Sequence, residues 1–157
     1  MTALGFLFWM AAVFLVLSLL TKEERKRVEE CEGLALLLRH LRGQVAAYSL
    51  PREEICATFR HAALEKCGFL PLLREQGLRS ALSSGKLSLG REALRPLFLF
   101  AEGEGRRLRE EELAALTLAL EGMEYASAEC RRRMPERLRL LRTLLLTGGM
   151  MVAILLL

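Results

Sequence analysis

Two stretches without a charged residue frame this chain, Met1–Leu20 at one end and Thr143–Leu157 at the other. The polar and apolar positions between them alternate with helical spacing. In the first long run, Cys31, Leu34, Leu38, Leu41, Val45 and Tyr48 recur three or four residues apart, and Glu29, Glu32, Arg39 and Arg42 fall on the other side. That periodicity predicts an amphipathic helix from Thr21 to about Tyr48. Ser49-Leu50-Pro51 ends it, since proline disfavours helix in the residue before it and suits the first turn of the next. A second helix is expected through Ile55, Phe59 and Ala63 to Cys67-Gly68, where glycine fits a helix stop. A third runs from Pro71 to about Leu82 and ends at Ser83-Ser84-Gly85. Ser88 is expected to cap a further helix interrupted by Pro96, with Leu97–Phe100 buried, before Gly103 and Gly105 loosen the chain. A last long helix carries Leu113, Leu116, Leu120, Met123, Ser127, Cys130 and Met134 on one stripe. Beside it lies a strip of small residues, Ala115, Ala119, Gly122 and Ala126, that admits a close neighbour within the domain, with a self-association face (a homo-oligomer) as the alternative. Pro135 is expected to kink it. No sustained period-two run predicts a strand. The fold class is therefore all-α.

The end stretches change what kind of bundle this is. Met1–Leu20 is about long enough to cross a bilayer. Without a basic region before it or a small-x-small cleavage site, it is expected to stay as a span. The second, whose run Leu144–Leu157 is about 14 residues long, contains Gly148 and Gly149, which suit helix packing in lipid. Lys22, Arg25, Lys26 and Arg27 follow the first stretch; Arg131, Arg132, Arg133, Arg137, Arg139 and Arg142 precede the second. Basic flanks mark the cytoplasmic side, so both ends predict one topology with the middle inside. The expected organisation is a transmembrane helix at 1–20, a cytoplasmic helical domain at 21–142 and a transmembrane segment at 143–157. The two long helices continue into these segments, and the short ones sit at the distal tip.

Composition narrows the chemistry. Of 157 residues, about 120 remain for one helical domain with a modest core. The formal net charge of +4 belongs wholly to that middle part. Its basic side chains alternate with glutamate and lack stacking aromatics, which excludes nucleic acid as the expected partner and leaves membrane lipid. Every acidic residue is glutamate. Four cysteines, Cys31, Cys56, Cys67 and Cys130, include no C-x-x-C pair, and Cys56, His61 and Cys67 match no zinc spacing. There is no phosphate-binding glycine loop, and Glu102-Gly103-Glu104-Gly105 would repel phosphate. His40 and His61, the two histidines, each read as half-buried or surface side chains. The sequence predicts no enzyme, catalytic site, cofactor or metal.

Several short matches give the chain a family resemblance. Arg142-Thr143-Leu144, then Gly148-Gly149 followed by Met150–Leu157, resembles the basic-small-Leu step and glycine-bearing tail of the stage III sporulation protein AB family. The leucine-rich stretch Leu34–Leu41, Gln44-Val45 and Pro51-x-x-Glu54 resembles further positions, the last written Pro-Leu-x-Glu in the family. Gly105 falls where the family has Leu-Gly-x-x-Asp-x-x-x-Gln, but Glu104, Leu108 and Glu112 stand here for its Leu, Asp and Gln. The resemblance implies a domain similar to the helical domain of the type II secretion inner-membrane platform protein. It further implies a place in a secretion-like complex needed for endospore formation, in the mother-cell membrane around the forespore. The implied partners are a cytoplasmic secretion-type ATPase and other membrane subunits. Pro51, Glu54 and Gly105 are the implied partner contacts. The expected function is thus a non-enzymatic platform, with a membrane-tethered regulator or sensor as the alternative. A thiol- or metal-dependent enzyme built on Cys56, His61 and Cys67 is a weaker third reading.

Overall fold

The computed structural model describes residues 2–47, 52–103 and 107–155, with side chains over 11–47, 54–103 and 107–151. Six helices follow one another: α1 (Thr2–Ala47), α2 (Arg52–Thr58), α3 (Ala62–Lys66), α4 (Phe69–Ser83), α5 (Arg91–Glu102) and α6 (Arg109–Leu155). No strand occurs among the described residues. The chain forms two compact units, Lys26–Cys130 and the paired segments Met1–Arg25 and Arg131–Leu157.

In the Lys26–Cys130 unit the predicted α1 stripe and the middle of the α6 stripe form the core. Leu113, Ser127 and Cys130 are half-buried, Met134 belongs to the other unit, and Tyr48 lies outside the described residues. Cys31, Leu34, Leu38, Leu41 and Val45 of α1 are buried, as are Leu116, Ala119, Leu120 and Met123 of α6. They join Phe69, Leu70, Leu73 and Leu78 of α4 and Leu94, Leu97 and Phe100 of α5 in one apolar cluster. Three cross-links fix α1 and α6 antiparallel. Cys31 meets Cys130, Arg39 pairs with Glu124, and Arg109 donates to the carbonyls of Val45 (3.1 Å) and Ala46 (2.9 Å). Those carbonyls belong to the last turn of α1, so the guanidinium supplies donors at that helix end. The small strip also packs inside the unit. A Cβ at Gly122 would lie 2.7 Å from Cγ of Pro96, so α5 rests directly on α6 there. Gly122→Ala therefore destabilises by about 1–2 kcal/mol, despite alanine's better helix propensity, because the proline ring is rigid. Thermal unfolding followed by circular dichroism measures this, and a more stable variant would mean that α5 moves aside freely.

The turns follow local chemistry. Gly68 takes the left-handed conformation (φ 79°) after α3, and its N–H bonds to the Glu65 carbonyl at 3.0 Å. The helix expected through Phe59 and Ala63 is two helices, with Phe59, Arg60 and His61 between them. His61 is extended (φ −153°, ψ 121°), and the Phe59 carbonyl is taken by Nη2 of Arg74 at 2.8 Å. A tertiary donor thus replaces the helical one. α4 begins at Phe69, two residues before Pro71, which sits in a first turn where its missing N–H costs nothing. Gly77 bends α4 by leaving the helical region (φ 80°, ψ 174°).

Ser88 caps no helix. Its N–H donates to Oε2 of Glu30 at 2.7 Å and its hydroxyl approaches Oε1 at 3.3 Å, while Gly90 precedes α5. α5 runs through Pro96 without interruption, and α6 likewise continues through Pro135. Within Leu97–Phe100 only the ends are fully buried; Leu99 is exposed. The first turn of α6 has Leu108 where a polar cap would serve. Glu111 compensates by accepting the Leu108 N–H at 3.2 Å, one half of a capping box.

Among the described residues no helix is long and apolar enough to cross a membrane. The two expected spans, 1–20 and 143–157, fall only partly on described side chains, Ala11–Leu20 and Thr143–Met151. Each of these is about half of the roughly 20 residues that cross a hydrocarbon core. In that unit, Arg137 and Glu24 pair at 3.4 Å and join its two segments.

Candidate functional site

The chain's two histidines meet across one phenylalanine. α1 presents Leu36, Arg39, His40, Gly43 and Gln44 along one side, and the Phe59-Arg60-His61 link faces them across an open groove of about 470 Å³. Phe59 is half-buried, with its ring centroid 5.6 Å from that of His40 and 6.4 Å from that of His61. The His61 ring stacks nearly parallel to it, at 8°. The Thr58 hydroxyl lies 3.5 Å from Nε2 of His40 and donates to the Ile55 carbonyl at 2.8 Å.

Glycines shape both sides of this groove. Gly33 lets His61 approach α1: a Cβ there would lie 2.6 Å from Nδ1 and 2.7 Å from Cε1 of the ring. Nδ1 is buried against this backbone without a hydrogen-bond partner among the described residues. Gly43 has nothing within 4 Å of where its Cβ would stand, which leaves the groove open.

Arg39 and Arg60 supply the charge of the lining, which contains no carboxylate. Their partners, Glu124 and Glu65, lie outside the lining. Both are exposed pairs, worth little in water and easily exchanged for another carboxylate. The groove therefore offers an aromatic and aliphatic floor between two exchangeable cations.

The sequence-predicted residues are distributed as follows. Lys22, Arg25, Lys26, Arg131, Arg132, Arg133, Arg137, Arg139 and Arg142 are exposed; Arg27 is half-buried. Lys26 and Arg27 belong to the Lys26–Cys130 unit and the others to the paired segments. Gly148 is exposed with open space beside it, whereas Gly149 is buried. Glu54 is exposed on α2, and the implied contacts Pro51 and Gly105 lie outside the described residues. Cys56 is buried on α2, and Cys67 donates its thiol to the Leu64 carbonyl at 3.4 Å. Burial raises the Cys67 thiol above its ordinary pKa. Among the described residues no group of three or more metal-ligating side chains converges.

The groove itself escaped the sequence reading. His40 and His61 lie on either side of α2, and only the unforeseen break after Thr58 swings Phe59 and His61 onto α1. The alternation of Phe59 and His61 about Arg60 was the one available signal of an extended link. No protein-family model, curated protein or solved structure matches this chain.

Proposed function

We propose that this chain is a membrane-anchored, non-enzymatic platform whose helical domain docks a partner protein on the arginine-rich side of the bilayer. One observation carries the anchoring. In the unit formed by Met1–Arg25 and Arg131–Leu157, apolar side chains stand exposed on both segments: Phe14 (76%), Leu15 and Leu19 on one, Leu144, Leu146 and Met151 (70%) on the other. Each Å² of such surface left in water forgoes about 25 cal/mol, and lipid supplies the missing apolar contact. The exposed arginines Arg131–Arg142 lie next to them in sequence, as basic residues flank membrane segments on the cytoplasmic side.

The groove of Leu36, His40 and Phe59 between Arg39 and Arg60 is the docking face in this reading, suited to a partner's carboxylate beside an apolar side chain. The resemblance to the stage III sporulation protein AB family suggests that partner: a secretion-type ATPase in a complex of endospore-forming cells. Expressed at full length, the chain is expected in the membrane pellet after an alkaline wash. In a sporulating host it should pull down the ATPase, more weakly when Arg39 and Arg60 are both replaced by glutamate. Recovery as a monomer without detergent would overturn the anchor. Failure to capture the ATPase from intact membranes would overturn the assigned partner while leaving the anchor standing.

A further inference from the structure

Two thiols face each other in the Lys26–Cys130 unit, one from each long helix. Cys31 Sγ lies 3.7 Å from Cys130 Sγ, although 99 positions separate the residues in sequence. Both are free. Their surroundings differ: Cys31 has no exposed surface, while Cys130 is half-buried. We propose that Cys130 and Cys31 are a site of reversible oxidation, at which a peroxide converts the two thiols into a disulfide joining α1 to α6.

The asymmetry sets the order of events. Cys130 is the sulfur that solvent-borne oxidant reaches. Its sulfur attacks one oxygen of hydrogen peroxide, the O–O bond breaks, and water leaves with a sulfenic acid on Cys130. Cys31 then attacks the sulfenic sulfur; the S–S bond forms, the S–O bond breaks, and the hydroxyl departs as water with the proton of Cys31. The two thiols lose two electrons and one peroxide becomes two waters. Closing a sulfur separation of 3.7 Å to the bonded length of about 2.05 Å requires a small side-chain and helix adjustment, since the thiols already touch. Burial, reinforced by Cys130 and the nearby Glu30 and Glu32, pushes the Cys31 thiol up to about 12. Cys31 consequently stays protonated and inert until a sulfenic acid forms beside it. A dithiol reductant reverses the bond by exchange.

Cys56 and Cys67 sit on other helices, at α2 and just after α3, and serve as internal controls. The test uses the reduced full-length chain in a mild non-ionic detergent, treated with a small excess of hydrogen peroxide. Intact mass should fall by about 2 Da and recover with dithiothreitol. Digestion should yield one cross-linked peptide pair containing Cys31 and Cys130. The melting temperature of the oxidised form should rise by about 5 °C or more, because the bond closes a long loop in the unfolded chain. Cys56→Ala and Cys67→Ala chains should cross-link as the parent does. Stable addition of oxygen to Cys130 without a cross-link would overturn the proposal, as would a bond to Cys56, Cys67 or a second chain, or an unchanged mass.

Discussion

Glu30→Ala should be among the most damaging single substitutions in the Lys26–Cys130 unit, costing about 2–4 kcal/mol. Glu30 is the one buried charged residue among the described positions. Its carboxylate accepts the Ser88 N–H at 2.7 Å and lies 3.7 Å from Nζ of Lys26, one helical turn earlier. Ser88 belongs to the link between α4 and α5, so one side chain of α1 holds a segment that has no helix of its own. Truncation takes the acceptor from a half-buried backbone N–H, deprives Lys26 of its counter-charge and opens a void. Glu30→Gln keeps an oxygen in place for the N–H and should recover roughly half of the loss, since a neutral acceptor is the weaker one. Denaturant unfolding of the full chain in mild detergent checks both variants. An alanine form as stable as the parent chain would show that the carboxylate holds nothing.

Gly33→Leu should cost about 3 kcal/mol and dismantle the groove as well. The space beyond Gly33 is filled by the His61 ring and, at 3.0 Å, by Cγ of Leu64 in α3. A leucine must expel one or both, and with them the link that carries Phe59. Gly33→Ala is the sharper probe, because it adds one methyl group and improves helix propensity by about 1 kcal/mol. It should still shift His61. With only two histidines in the chain, both beside the Phe59 ring, their imidazole proton resonances report the groove directly. In the alanine variant the His61 signal should move toward its random-coil position more than the His40 signal. Unmoved resonances with unchanged stability would refute the close approach.

The two substitutions mark where the sequence was readable and where it was not. The stripes of α1 and α6 announced their buried faces because three-four spacing is a one-dimensional pattern. Gly68 and Gly85 announced turns because only backbone freedom matters there, and both have positive φ. The packed role of Ala119 and Gly122 was legible for a similar reason: small size on a helix face means a close neighbour. Ser88 misled because serine before a helix resembles a cap, whereas its donors were claimed by a carboxylate 58 positions away. The break after Thr58 misled because apolar spacing continues across it while Arg74 satisfies the Phe59 carbonyl from a distant helix. Proline at 96 suggested an interruption, yet α5 runs on through it. The groove depends on all these tertiary decisions at once, so no local pattern could reveal it.

The clasp between Arg109 and the last carbonyls of α1 also dictates an order of assembly. Cys31, Arg39 and the end of α1 find their partners on α6 only after residues 109 to 130 have been synthesised. Before α6 is made, α1 can meet its partners in α3 and in the link before α5, but its α6-facing side stays open. Such long-range closure slows folding relative to a bundle of neighbours in sequence, and it leaves leucines uncovered meanwhile. Chains that stall before Arg109 should therefore be ready clients for chaperones and proteases, whereas those that include Cys130 can close.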